Sequence, residues 1–234
     1  MARKPAHSEH RDADGDGTKS AHTRQRILDA AAHVLSRRGY AGTRLTDVAE
    51  VAEIQAPAIY YYFPSREDLL EEVMWSGIAR LTEHVQARLD ALPPEATAME
   101  RIEAAVESHL QYELEVSDYS AAAIRNGAQI PEDIRVRFAA EGAKYFDIWR
   151  KLLQDAQHDG ELRPELDPRA ARMLVLGALN WAVEWWNPRR DSLQQVIRTA
   201  KSIVRAGLSA EAAPESSPPV PARTRSRKTA VTAR

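Results

Sequence analysis

Between Thr23 and Leu208 the apolar residues of this chain recur at three- and four-residue intervals, and no run alternates with period two. Such a pattern builds helices and leaves nothing with which to line a half-buried strand. In TRQRILDAAAHVLSRRGY, residues Ile27, Leu28, Ala31, Val34 and Leu35 share one helical face, with Thr23 as a cap and Gly39 as the stop. A short helix over 44–51 follows, entered through Gly42 and Thr43. After QAPAIYYYFPSRE (55–67), a long helix runs over 66–90 and ends before Pro93 and Pro94. Further helices are predicted over 95–116, 118–128, 131–158, 168–187 and 191–208, with Pro131 and Pro168 as first-turn signals and 158–168 as a connection. The expected fold is all-α: a three-helix N-terminal group followed by a larger C-terminal helical bundle.

Composition narrows the class. Hydrophobic residues at 44% and charged residues at 28% are ordinary for a soluble globular protein. The longest apolar stretch, MLVLGALNWAV (173–183), falls short of the ~20 residues that span a bilayer. The N-terminus has basic residues with no apolar core behind them, so no signal peptide is expected and the location is expected to be cytoplasmic. Absence of cysteine excludes disulfides, thiolate metal sites and a cysteine nucleophile. A net charge of −2 excludes coating of nucleic acid by bulk charge and leaves a local DNA-reading surface open. Residues 1–20 are polar and aperiodic, and read as a disordered tail. Residues 211–234 are Pro/Ser-rich and then basic: a solvated tail, or a non-specific phosphate-binding arm.

Several chemistries are set aside. DADGDG (12–17) imitates a calcium loop, but its twelfth position is Thr23 in place of a bidentate glutamate. His109 and Glu113 are i, i+4 neighbours with no third metal ligand at suitable spacing. No phosphate loop, dinucleotide-binding glycine pattern or nucleophile elbow occurs. Neither an enzyme nor a bound cofactor or metal is expected.

Three consecutive tyrosines cannot all face a core. At roughly 100° per residue, Ile59, Tyr62 and Phe63 fall together, leaving Tyr60 and Tyr61 toward solvent. Upstream, Leu45, Val48 and Ala49 mark a short helix, with small Ala49 and Ala52 allowing close approach. Two short helices around a tight turn make a helix-turn-helix. Its second helix can enter a major groove, with tyrosine hydroxyls and helix N-terminal amides on phosphates.

Residues 23–74 resemble the DNA-binding domain of the TetR family of transcriptional repressors. The resemblance is carried in order by Gly39-Tyr40, Thr43, Ala58-Ile59-Tyr60-Tyr61-Tyr62-Phe63 and Ser65-Arg66-Glu67-Asp68-Leu69. It implies phosphate contacts from Thr43, Tyr60, Tyr61 and Arg66, and base or groove contacts from Arg44, Thr46, Gln55, Ala56, Pro57 and Ala58. Three positions depart from the family pattern. Glu53 stands where glycine is usual, Gln55 where a capping Ser or Thr is usual, and Tyr62 where histidine is common. The first two support a competing reading, a dimeric all-α ligand-binding or interaction protein that does not read DNA.

A single helix-turn-helix reads few bases, so a homodimer is expected. The helices over 168–187 and 191–208 are apolar enough to form a four-helix interface between two copies. The resemblance implies a head over 21–66, a ligand-binding and dimerisation body over 67–210, and release from a near-palindromic double-stranded operator by a small-molecule effector. The stretch GELRPELDPRAARMLVLGALNWAVEWWNP is similar to the part of TetR regulators that respond to acyl- or steroid-CoA thioesters. On that likeness Tyr112, Arg125, Phe138, Tyr145, Trp149, Trp181 and Trp185 are candidate pocket residues, with Arg125, Arg135 or Arg137 toward ligand phosphates. Each ring is equally at home in core or interface packing.

Overall fold

The computed structural model describes residues 13–210 apart from 117, 128, 130, 133 and 134. The expected tails at 1–12 and 211–234 lie outside the described residues. Among the described residues ten α-helices run in order: α1 Ala13–Gly42, α2 Leu45–Val51, α3 Ala56–Tyr62, α4 Arg66–Asp90, α5 Ala98–Gln111, α6 Asp118–Asn126, α7 Arg135–His158, α8 Pro168–Asn180, α9 Ala182–Trp185 and α10 Leu193–Leu208. A π-helical turn, Tyr112–Val116, follows α5. Among the described residues there is no strand, only an isolated bridge between Leu162 and Ser209.

The helix ends follow from local chemistry, and some differ from expectation. Thr23 does not cap α1: its hydroxyl donates to the Lys19 carbonyl one turn back (3.0 Å), as a threonine inside a helix does. The helix therefore begins ten residues earlier, at Ala13, which corrects the tail reading for 13–20. Gly39 takes φ 71°, a left-handed value that breaks the helical path before Tyr40. A capping box joins Thr97 and Glu100 at the start of α5, and the Asp167 side chain accepts from the Ala170 N–H (2.7 Å) to start α8. The single helix expected over 168–187 is two, α8 and α9, meeting at Trp181.

Helix α4 runs through the middle, packed by α1, α5, α6 and α7. Its buried face includes Leu70, Val73, Met74, Leu81 and Val85. At Gly77 the backbone of α6 comes so close that an added Cβ would sit 2.4 Å from the Tyr119 carbonyl oxygen. Helix α6 also grips α1. The Tyr119 hydroxyl donates to Asp29 (2.7 Å), Arg125 donates to the Ser36 carbonyl (2.9 Å), and Asn126 Oδ1 accepts from the Tyr40 N–H (2.7 Å). Asp118 accepts from Ser36 and Arg37, both at 3.1 Å. Burial raises the Asp118 pKa, but the Arg37 charge and the hydrogen bonds from Ser36, His33 and Arg37 outweigh it, and the net value lies below the usual one.

Candidate nucleic-acid interface

Helix α2 closes on a Schellman turn. The Ile54 N–H donates to the Ala49 carbonyl (3.0 Å) and the Glu53 N–H to the Glu50 carbonyl (3.2 Å), with Glu53 at φ 54°. A glutamate thus holds the left-handed position where glycine is relaxed, at a cost of about 1 kcal/mol. Gln55 precedes α3 in extended conformation without a side-chain capping bond, and Pro57 presets the first turn. Both departures from the family pattern are accommodated: the turn closes on its own backbone.

Helix α3 sorts its aromatic residues by burial. Ile59 and Phe63 are buried and Tyr62 is half-buried, whereas Tyr60 is 59% and Tyr61 82% exposed. The Tyr61 and Tyr62 rings meet edge to face at 5.1 Å. Gln55, Pro57 and Ala58 are exposed beside them, and Ala56 is half-buried against the core. Arg44 and Thr46, at the start of α2, are exposed as well. The result is one outward surface with small residues at the front of α3 and two phenols at its rear.

Most arginines of the head are engaged by groups within the protein. Arg24 pairs with Glu72 (3.2 Å) and lies over the Phe63 ring (4.8 Å to its centroid). Arg26 donates to the Ala52 carbonyl, and Arg37 and Arg38 pair with Asp118 and Asp47. Arg66, expected at a phosphate, donates from Nε to the Thr43 carbonyl (2.8 Å) and from a terminal nitrogen to the Tyr40 carbonyl. It pairs with Glu67 (2.9 Å) and lies over the Tyr40 ring at 4.7 Å. Thr43 is buried with its hydroxyl donating to the Gly39 carbonyl (2.8 Å). The structure therefore places Arg66 and Thr43 as braces of the α1–α2 loop, whose irregular backbone leaves carbonyls in need of donors. Arg44 is the one head arginine with no such partner among the described residues.

The residues expected at a pocket fall into separate groups. Tyr145 and Trp149 are buried around His109, with Tyr112 buried one turn along from it. Phe138 is half-buried and borders Gly127. Arg125 is an inter-helix brace, pairing with Glu184 (2.8 Å) and donating to the carbonyls of Val183 and Ser36. Arg137 pairs with Glu72 and lies over Trp75 at 4.1 Å, and the Arg135 side chain lies outside the described residues. Trp181 (65% exposed) and Trp185 (45%) face away from that core, and Trp185 shares an outer surface with Leu174 (75%) and Ile203 (67%). Leu176 and Leu179 take the inward side of α8, so Trp181 at its C-terminal end cannot. Between α8 and α10 this surface holds an apolar groove of about 770 Å³, bordered by Val175, Ala178, Trp185, Val196 and Ala200.

A helix-turn-helix with an exposed second helix, mounted on a helical body, defines a DNA-binding regulator of the two-part kind. Residues 27–73 match the bacterial regulatory proteins of the tetR family, and residues 95–208 match the tetracyclin repressor-like C-terminal domain. The chain belongs to the TetR family of transcriptional regulators. It is 26% identical over 190 residues to the fatty acid metabolism regulator protein of Bacillus subtilis (strain 168), covering 78% of this chain and 93% of that one. To the HTH-type transcriptional repressor KstR2 of Rhodococcus jostii (strain RHA1) it is 27% identical over 204 residues, 84% and 95% of the two chains. Among solved structures, AibR in complex with isovaleryl coenzyme A and operator DNA shares the fold with a TM-score of 0.71 at 23% identity, covering 77% of this chain and 97% of that chain. No helix among the described residues is long and apolar enough to cross a membrane.

Proposed function

We propose that this regulator is a repressor that binds a near-palindromic operator as a homodimer and is released by an acyl- or steroid-CoA thioester. The observation that carries the DNA-reading half is the outward surface of α3, where two exposed phenols follow three small or fixed residues. Ala56, Pro57 and Ala58 let the backbone approach a major groove, and Gln55, Arg44 and Thr46 reach base edges. Tyr60 and Tyr61 hold phosphates. Thr43 and Arg66 act through the loop they brace, presenting Arg44 and the amides that open α2. The exposed apolar surface of α8 and α10 suits the partner subunit, which covers Leu174, Trp185 and Ile203.

Residues 21–66 form the head and 67–210 the body. Effector binding in the body shifts the population toward head spacings that cannot meet successive major grooves, about 34 Å apart. The thioester class is supported by the isovaleryl coenzyme A bound in AibR and by a relative that regulates fatty acid metabolism. The chain acts in the cytoplasm as a regulator and not as an enzyme, a reading supported by the two curated relatives described above, both of them regulators.

The test is retention of genomic DNA fragments by the purified protein, with and without a panel of acyl- and steroid-CoAs. A near-palindrome lost with one thioester supports the whole reading. A palindrome indifferent to every CoA removes the effector class. No enriched sequence at any salt favours a ligand-binding protein that does not read DNA.

A further inference from the structure

This inference rests on the effector-responsive reading above and deepens it. At the end of α5 the helix widens into the π-helical turn, an arrangement that often marks functional positions. The turn carries Glu113 into the body core, where it is buried beside His109, Tyr145 and Trp149. The Tyr145 hydroxyl lies 2.5 Å from His109 Nδ1, and Glu113 Oε1 lies 2.8 Å from His109 Nε2. The His109 ring stacks on Tyr145 and meets Trp149 edge-on.

In this cluster the hydrogen-bonding account does not close. Glu113 Oε1 is taken by His109, whereas Oε2 has no hydrogen-bond partner among the described residues. A buried carboxylate oxygen left unmet is costly to keep. Burial pushes the Glu113 pKa up, against the lowering effect of His109. Ionised or protonated, the carboxyl can accept from a hydroxyl, and a hydroxyl can also accept from the protonated form.

We propose that Glu113, oriented by His109, is the polar anchor of the effector site and receives a hydroxyl carried on the effector's otherwise apolar body. A ligand lacking that hydroxyl leaves the carboxyl unmet, so the site discriminates by polarity at one position of the chain or ring system. A discrimination of about tenfold or more corresponds to one unsatisfied buried group.

The experiment is calorimetric titration of the full chain with matched pairs: decanoyl-CoA against its hydroxylated forms at carbon 3 and at the chain end, and the corresponding free acids. The expected result is that one hydroxylated member binds at least about tenfold tighter than its parent. Glu113→Leu abolishes the preference, and Glu113→Gln, which keeps a donor and an acceptor, retains it. Thioesters that bind without any preference for the hydroxyl overturn the proposal while leaving the thioester reading intact. So does a preference that survives Glu113→Leu. Binding confined to hydroxylated free acids and dependent on Glu113 keeps the anchor and removes the thioester reading. Failure of every pair to bind overturns both. Should Glu113→Leu not fold, the wild-type preference and Glu113→Gln decide.

Discussion

Replacing Gly77 by alanine sets two effects of opposite sign against each other. In an open helix the change is favourable by about 1 kcal/mol, because glycine is a poor helix former. Here the new Cβ would stand 2.4 Å from the Tyr119 carbonyl oxygen, 2.8 Å from its carbonyl carbon and 3.2 Å from the Ala123 Cβ. The obstacle is backbone, which no rotamer change can clear, so α6 must retreat by about 1 Å to restore van der Waals separation. Overpacking of this kind costs about 1–3 kcal/mol, toward the upper end for a rigid neighbour. The net expectation is a loss of about 1–2 kcal/mol, read as a fall of about 2–8 °C in thermal midpoint at fixed protein concentration. Operator affinity should fall too, because α6 carries the Asp118 and Asn126 contacts to α1. A thermal midpoint that rises by a few degrees would refute the reasoning, since it means that α6 does not press on α4 at this point.

Three further outcomes test the head. Tyr60→Phe and Tyr61→Phe should each weaken binding about three- to tenfold on every operator variant alike, with thermal stability unchanged; sensitivity at a single base pair in a binding-site scan counts against phosphate roles. Arg66→Ala should lower the stability of the DNA-free protein by about 1–3 kcal/mol, and Arg66→Lys should not restore it, because an ammonium cannot serve two carbonyls and a ring at once. A variant with weaker operator binding and an unaltered denaturation curve would return Arg66 to the phosphate. For Asp118 the folded pKa is depressed, so its contribution is present at neutral pH and is lost as pH falls through the usual aspartate value near 4 and below. Asp118→Asn should therefore be less stable at pH 7 by about 1 kcal/mol at most, given the partial exposure of the pair, and equal to the parent in acid; a gap that persists at pH 3 in chemical denaturation would contradict this.

Periodicity carried most of the helices. The α3 face was legible in the tyrosine triplet because three consecutive residues on a helix must diverge, and the burial of Ile59 and Phe63 beneath exposed Tyr60 and Tyr61 follows that geometry. Glycine at 39 and proline at 168 announced their breaks for the same local reason. Contacts set by distant segments were not legible. Arg66 reads as a phosphate ligand in sequence, and nothing local says that the Tyr40 and Thr43 carbonyls also lie within its reach. Thr23 passes for a cap until its hydroxyl is seen to bond backward to Lys19. Trp181, Trp185 and Trp149 read alike as pocket residues, yet the packing of Leu176 and Leu179 and the break between α8 and α9 leave the first two facing out. The His109–Glu113 spacing was visible, but its burial and the partners it lacks were not.

The grip of α6 on α1 bears on how such regulators change over generations. The Tyr40 amide, the Ser36 carbonyl and Asp29 all find their partners on a helix that lies some 80 or 90 residues downstream. A reading head exchanged by recombination near residue 66 would arrive on a foreign body with those groups unanswered. New operator specificity in this lineage is then more easily reached by point changes on the exposed side of α3 than by shuffling whole heads, and bodies should diverge most where they do not touch α1.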